Sequence, residues 1–117
     1  MPHVVLNGAV NFGDIFTSFK GIFIRSEHGI LKTDTMYMSR DKSAILIESL
    51  AIETGVKHSF LAIISRRDDG AVVRIYQGSD VEKTSGVKTI LSEIAKQLLA
   101  TFPQLTVGET NLSEYLQ

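Results

Sequence analysis

Five turn signals divide residues 20 to 80 of this chain into apolar segments of similar length. They are Glu27-His28-Gly29, Ser39-Arg40-Asp41-Lys42, Glu53-Thr54-Gly55, Arg67-Asp68-Asp69-Gly70 and Gln77-Gly78-Ser79-Asp80. Glycine reaches positive φ at low cost, and Asp and Ser bond their own backbone in turns. The segments between them are rich in β-branched and apolar residues. Strands at that spacing, joined by short turns, form an antiparallel meander. The pattern predicts strands at 21–26, 30–38, 43–52, 57–66 and 71–77, with a sixth and shorter one at His3–Leu6.

Two helices frame the meander. Phe12, Phe16 and Phe19 fall at i, i+4 and i+7, which predicts a short helix over 12–19 capped by Asn11, with Asp14 in its first turn. This stripe reads as core packing. The second helix, over 86–101, carries Val87, Ile90, Leu91, Ile94, Leu98 and Leu99 on one face; Thr84 or Ser85 caps it and Pro103 stops it. In the tail, Leu105 and Val107 suggest a strand, and Leu112, Tyr115 and Leu116 a last helical turn. The chain thus reads as α+β, with about 5–6 antiparallel strands packed against a long C-terminal helix and a short N-terminal one.

Its 117 residues suit a single domain, 1–117, and 44% apolar content is too high for a disordered chain. A net charge of −1 argues against nucleic acid as a partner. The longest apolar run is Phe60–Ile64, far short of a membrane span, and the N-terminal residues lack a leader pattern. Cysteine is absent, which removes disulfides, thiolate metal sites and cysteine nucleophiles. The expected setting is cytoplasmic, with neither membrane nor nucleic-acid partners.

Turn placement fixes a register. Pairing Ser26 with Ile30, Met36 with Ile45, Ile47 with Ala62 and Ile64 with Val73 sorts side chains onto two faces. One face carries Ile24, Ile30, Met36, Met38, Ile45, Ile47, Phe60, Ala62, Ile64 and Val73, interrupted only by Lys32 and Asp34, and the long helix should cover it. The other carries Arg25, Leu31, Thr33, Tyr37, Leu46, Glu48, Leu50, Leu61, Ile63, Arg74 and Tyr76. A face left to water would alternate to polar residues. Here Leu46, Leu50, Leu61 and Ile63 form an apolar island that needs a cover, from the first helix, the tail or a second copy.

Motifs that would carry chemistry are weak. Gly78–Thr84 follows a strand and precedes a helix, but it lacks the second glycine of a phosphate loop and carries Asp80 and Glu82. His3, His28 and His58 form no ligand pair, so no metal or cofactor is expected. No nucleophile motif surrounds any serine. Arg66-Arg67 is neutralised by Asp68-Asp69. Glu48 lies mid-strand among apolar residues and needs a partner, for which Arg25 and Arg74 share its face.

The element order over 3–101 is similar to the helix-grip arrangement, in which a curved sheet grips a C-terminal helix and a cavity forms between them. Two functions follow as expectations. The first is a non-enzymatic homo-oligomeric or protein-interaction module acting through the second face, with Tyr37, Leu46, Leu50, Leu61, Ile63 and Tyr76 at the interface. The alternative is a carrier or sensor of a small hydrophobic ligand, in a cavity lined by Met36, Met38, Phe60 and Ile90, since methionine adapts to varied apolar shapes. Acid–base catalysis by Glu48 with Arg25, Arg74 or a tyrosine is the least supported reading, and no catalytic residue is assigned.

Overall fold

Seven strands form one antiparallel sheet in a computed structural model that describes all 117 residues, 1–117. The elements run β1 (His3–Asn7), α1 (Phe12–Ser18), β2 (Phe23–Ser26), β3 (Gly29–Met38), β4 (Ala44–Glu53), β5 (Val56–Arg67), β6 (Gly70–Ile75), α2 (Ser85–Thr101) and β7 (Thr106–Thr110), then a 3-10 turn at Ser113–Tyr115. The spatial order is β2-β3-β4-β5-β6-β1-β7. The meander and both helices follow the sequence reading. The sheet has seven strands rather than five or six, and α2 is not the last element, because the chain turns after Pro103 and adds β7 beside β1. That strand is short, lies at the sheet edge and has Gly108 at its centre, all of which weaken its sequence signal. No helix is long and apolar enough to cross a membrane.

The core lies between the sheet and α2. Val87, Ile90, Leu91, Ile94, Ala95 and Leu98 are buried along the helix, against Ile45, Ile47, Ala62, Ile64, Val73 and Ile75 from the strands. Leu99, expected on this stripe, is only partly buried, and Ala95 lies inside instead. Burying each large side chain is worth about 1.5–3 kcal/mol, so this layer supplies most of the drive to fold. The other short elements join the same side. Asn11 caps α1 by accepting from the Asp14 N–H at 3.0 Å. Phe12 and Ile15 of α1, and Leu105 and Leu112 of the tail, are buried in the same core. Phe16 and Phe19 pack on its margin.

The register agrees with expectation at Ile47–Ala62 and Ile64–Val73. It differs on β3. Ser26 faces Gly29, and Ile45 faces Met38. Between Thr33 and Met36 the β3–β4 pairing shifts by one residue, so that Asp34 and Thr35 together oppose Glu48. Such a bulge exchanges inside and outside along the strand. Met36 and Met38 therefore keep their predicted face, while Leu31 and Thr33 turn inward and Ile30 and Lys32 turn outward. The two polar interruptions on the predicted core face were the trace of this bulge. Lys32 points away and meets Asp34 at 3.6 Å. Thr33 is buried, and its hydroxyl oxygen accepts the Ile22 N–H at 2.9 Å, which starts β2 at Phe23.

One contact ties the helix to the sheet end. Thr84 caps α2, its hydroxyl oxygen accepting the Val87 N–H at 3.2 Å. That hydroxyl donates to Glu53 Oε2 at 2.5 Å, and the Gly86 N–H donates to Glu53 Oε1 at 2.8 Å. His58 Nε2 lies 3.7 Å from the same carboxylate, so this histidine is half-buried against Glu53 rather than free at the surface. A carboxylate here answers both the open N–H groups and the positive end of the helix dipole. A Cβ at Gly86 would come within 2.7 Å of the Glu53 carboxyl carbon and 2.9 Å of Leu31. Two results are expected in urea or thermal denaturation. Glu53→Ala loses about 1–2 kcal/mol. Gly86→Ala, which helix propensity alone would favour by up to ~1 kcal/mol, lowers stability instead.

Candidate functional site

The second face of the sheet is built from alternate residues of β3 to β6. One row across it is Tyr37, Leu46, Ile63 and Arg74, and the next holds Glu48 and Leu61. Leu50 and Ile52 continue along β4, beside Lys32 and Ile30 of β3. The bulge thus lengthens the apolar patch by bringing Ile30 over to it. Ile63 is nearly buried by its neighbours, and Leu46, Leu50 and Leu61 are half-buried. The aromatic margin is open: Tyr37 is 49% exposed, Tyr76 39%, and Phe23, which faces Lys32, 64%. The helix α1 and the tail, expected as partial covers, pack on the α2 side instead, because their apolar residues join the one core.

Tyr76 is held at this margin by the chain that follows it. Its N–H donates to the Leu61 carbonyl at 2.8 Å, and the Ser79 hydroxyl oxygen accepts the Leu61 N–H at 2.8 Å. The ring lies on Gly78, where a Cβ would come within 2.9 Å of it.

Glu48 has a partner, and it is not an arginine. The Tyr37 hydroxyl donates to Glu48 Oε2 at 2.6 Å. Tyr37 pairs with Leu46, so Glu48 is its diagonal neighbour, within reach of a long side chain. The predicted register set Tyr37 two residues further from Glu48 and hid this pair. Arg25 pairs with Ile30 and stands at the far end of the face, roughly 13 Å along the strands from Glu48. Arg74 is one strand beyond Leu61 and roughly 12 Å away. Neither forms an ion pair, and both lie beyond side-chain contact with Glu48.

The remaining candidates sit elsewhere. Ile90 and Phe60 belong to the continuous core, and Met36 and Met38 pack on its margin, so side chains occupy the layer between α2 and the sheet. No three His, Cys, Asp or Glu side chains come together as a metal site. The chain matches no protein-family model, no curated protein and no solved structure.

The hydrogen bond to Glu48 holds the Tyr37 phenol above its usual value of 10.0, with burial and the carboxylate charge adding to it and a hydrogen bond with Thr35 opposing. A raised folded-state value means the native state keeps this proton longer than the unfolded chain. The contribution is whole below the ordinary phenol range and is lost as pH rises through the folded value. In Glu48→Gln the negative acceptor is gone. NMR titration of the tyrosine Cζ signals should then show Tyr37 ionising at lower pH than in the parent protein, with the other two tyrosines unmoved.

Proposed function

We propose that this chain is a non-enzymatic, homo-oligomeric module that associates through its second sheet face. One observation carries the reading: a sheet face apolar at its centre and aromatic at its margins, with every helix of the fold packed on the opposite side. Tyrosine and arginine around an apolar centre are the composition of an interface core. The face is large enough. Strands β2 to β6 at ~4.8 Å spacing span roughly 24 Å, and seven residues of β3, β4 and β5 at ~3.4 Å rise roughly 24 Å, with β6 and β2 shorter at 6 and 4 residues. Side chains standing on that plan bring its accessible area toward the ~800 Å² per partner of a stable interface. Glu48 spends its hydrogen bond on Tyr37 rather than on a poised acid or base, which favours recognition over catalysis.

Leu61 tests this. It lies at the middle of the face and outside the core cluster, so Leu61→Glu leaves the folding core intact. A carboxylate there would be stripped of water on association, at a cost of more than ~3 kcal/mol, or over ~100-fold in affinity. Native mass spectrometry should show the parent protein as a dimer or larger and Leu61→Glu as a monomer with an unchanged circular dichroism spectrum. A parent protein monomeric at ~100 μM, or a variant that stays assembled, overturns the proposal.

A further inference from the structure

We infer that two copies dock about a two-fold axis that runs along the strands between β4 and β5, so that Arg74 of each copy meets the Tyr37–Glu48 pair of the other. The inference rests on the self-association proposed above and adds its geometry.

The row Tyr37, Leu46, Ile63, Arg74 follows the strand order β3, β4, β5, β6. It is apolar in its middle and polar at both ends, and the two ends differ in charge. At one end the Glu48 carboxylate has the Tyr37 hydroxyl as its hydrogen-bond partner and no cation. At the other, Arg74 has no carboxylate within reach. Arg74 and Glu48 are therefore each without an opposite charge and too far apart to meet within one chain, with Ile63 and Leu61 of β5 between them. Rotation about an axis along the strands exchanges β4 with β5 and β3 with β6. Leu46 then lies over Ile63 of the other copy, and Tyr37 over Arg74. Both charged ends are matched at once, as an isologous interface requires. Facing sheets stand ~10 Å apart, a gap that an arginine reaching toward a tyrosine or glutamate spans. The guanidinium would pair with Glu48 and lie against the Tyr37 ring. The other in-plane axis, across the strands, sets β6 over β6 and, where it passes through this row, Arg74 over Arg74, a like-charge contact that interfaces avoid.

The test uses two charge reversals and their mixture. Arg74→Glu alone places two carboxylates together at both ends of the interface, and Glu48→Arg alone places two cations together. Each should weaken self-association by at least ~10-fold in sedimentation velocity. Mixed in equal amounts, the two variants satisfy both contacts across a heterodimer. Native mass spectrometry should then show that heterodimer as the dominant assembled species. Changes within a single chain cannot produce this rescue. If the mixture holds no more dimer than either variant alone while Leu61→Glu is monomeric, the axis is wrong and the self-association reading stands. If Leu61→Glu remains assembled, the reading itself fails, and the inference with it.

Discussion

A seven-stranded sheet has two faces, and this chain supplies helices for one. The contact between α2 and the sheet sets everything else. Its buried stripe, Val87 to Leu98, needs a continuous apolar surface, and Ile45, Ile47, Ile64 and Val73 provide it by strict alternation along β4, β5 and β6. Alternation then dictates what the reverse side presents. Leu46, Glu48, Leu50, Leu61 and Ile63 are outside because their neighbours are inside. The remaining elements cannot alter this. The chain ties α1 and the tail to the α2 side, where their own apolar residues complete the core.

The Glu53 contact shows how the helix is fixed in place as well as attracted. Hydrophobic burial is non-directional and would allow α2 to slide along the sheet. A carboxylate from the end of β4, bonded to the Thr84 hydroxyl and the Gly86 N–H, pins one helix end to one strand end. The missing Cβ at Gly86 lets Glu53 approach. In the sequence Glu53 stands in a turn signal and Gly86 looks like a poor helix former. Neither residue reveals that it serves the other until the fold brings them together across 33 positions.

Most of the fold was legible because it rests on local patterns. The α2 stripe, the Asn11 cap and the turns at Gly29, Gly55 and Gly70 each depend on residues close in sequence. What escaped was set by pairing between strands. A bulge adds a single residue, and no composition marks Asp34-Thr35 as doubled against Glu48. The polar pair Lys32 and Asp34 on an apolar face was its visible symptom, and an alternation fault of that kind is a usable signal for a bulge. The second face followed the same division. Alternation places Leu46, Leu50, Leu61 and Ile63 on it, whereas Leu31 and Ile30 exchange faces across the bulge, and the Tyr37–Glu48 bond depends on that same register, which the Arg25 and Arg74 reading lacks.

The separation of core from second face also bears on how the face is used. A chain whose only apolar surface lay in an interface would fold only when assembled. Here the core is complete within one copy, so the fold does not depend on association. The apolar strip is then a hazard unless its pairing is restricted, since an unrestricted patch associates in any orientation. Lys32 and Arg74 flank the strip, and Glu48 stands inside it with its carboxylate held by Tyr37. Sliding by one strand spacing would set these charges against leucine or isoleucine and strip them of water without compensation. The same residues that give the face its polar ends therefore limit the arrangements in which its apolar centre is covered.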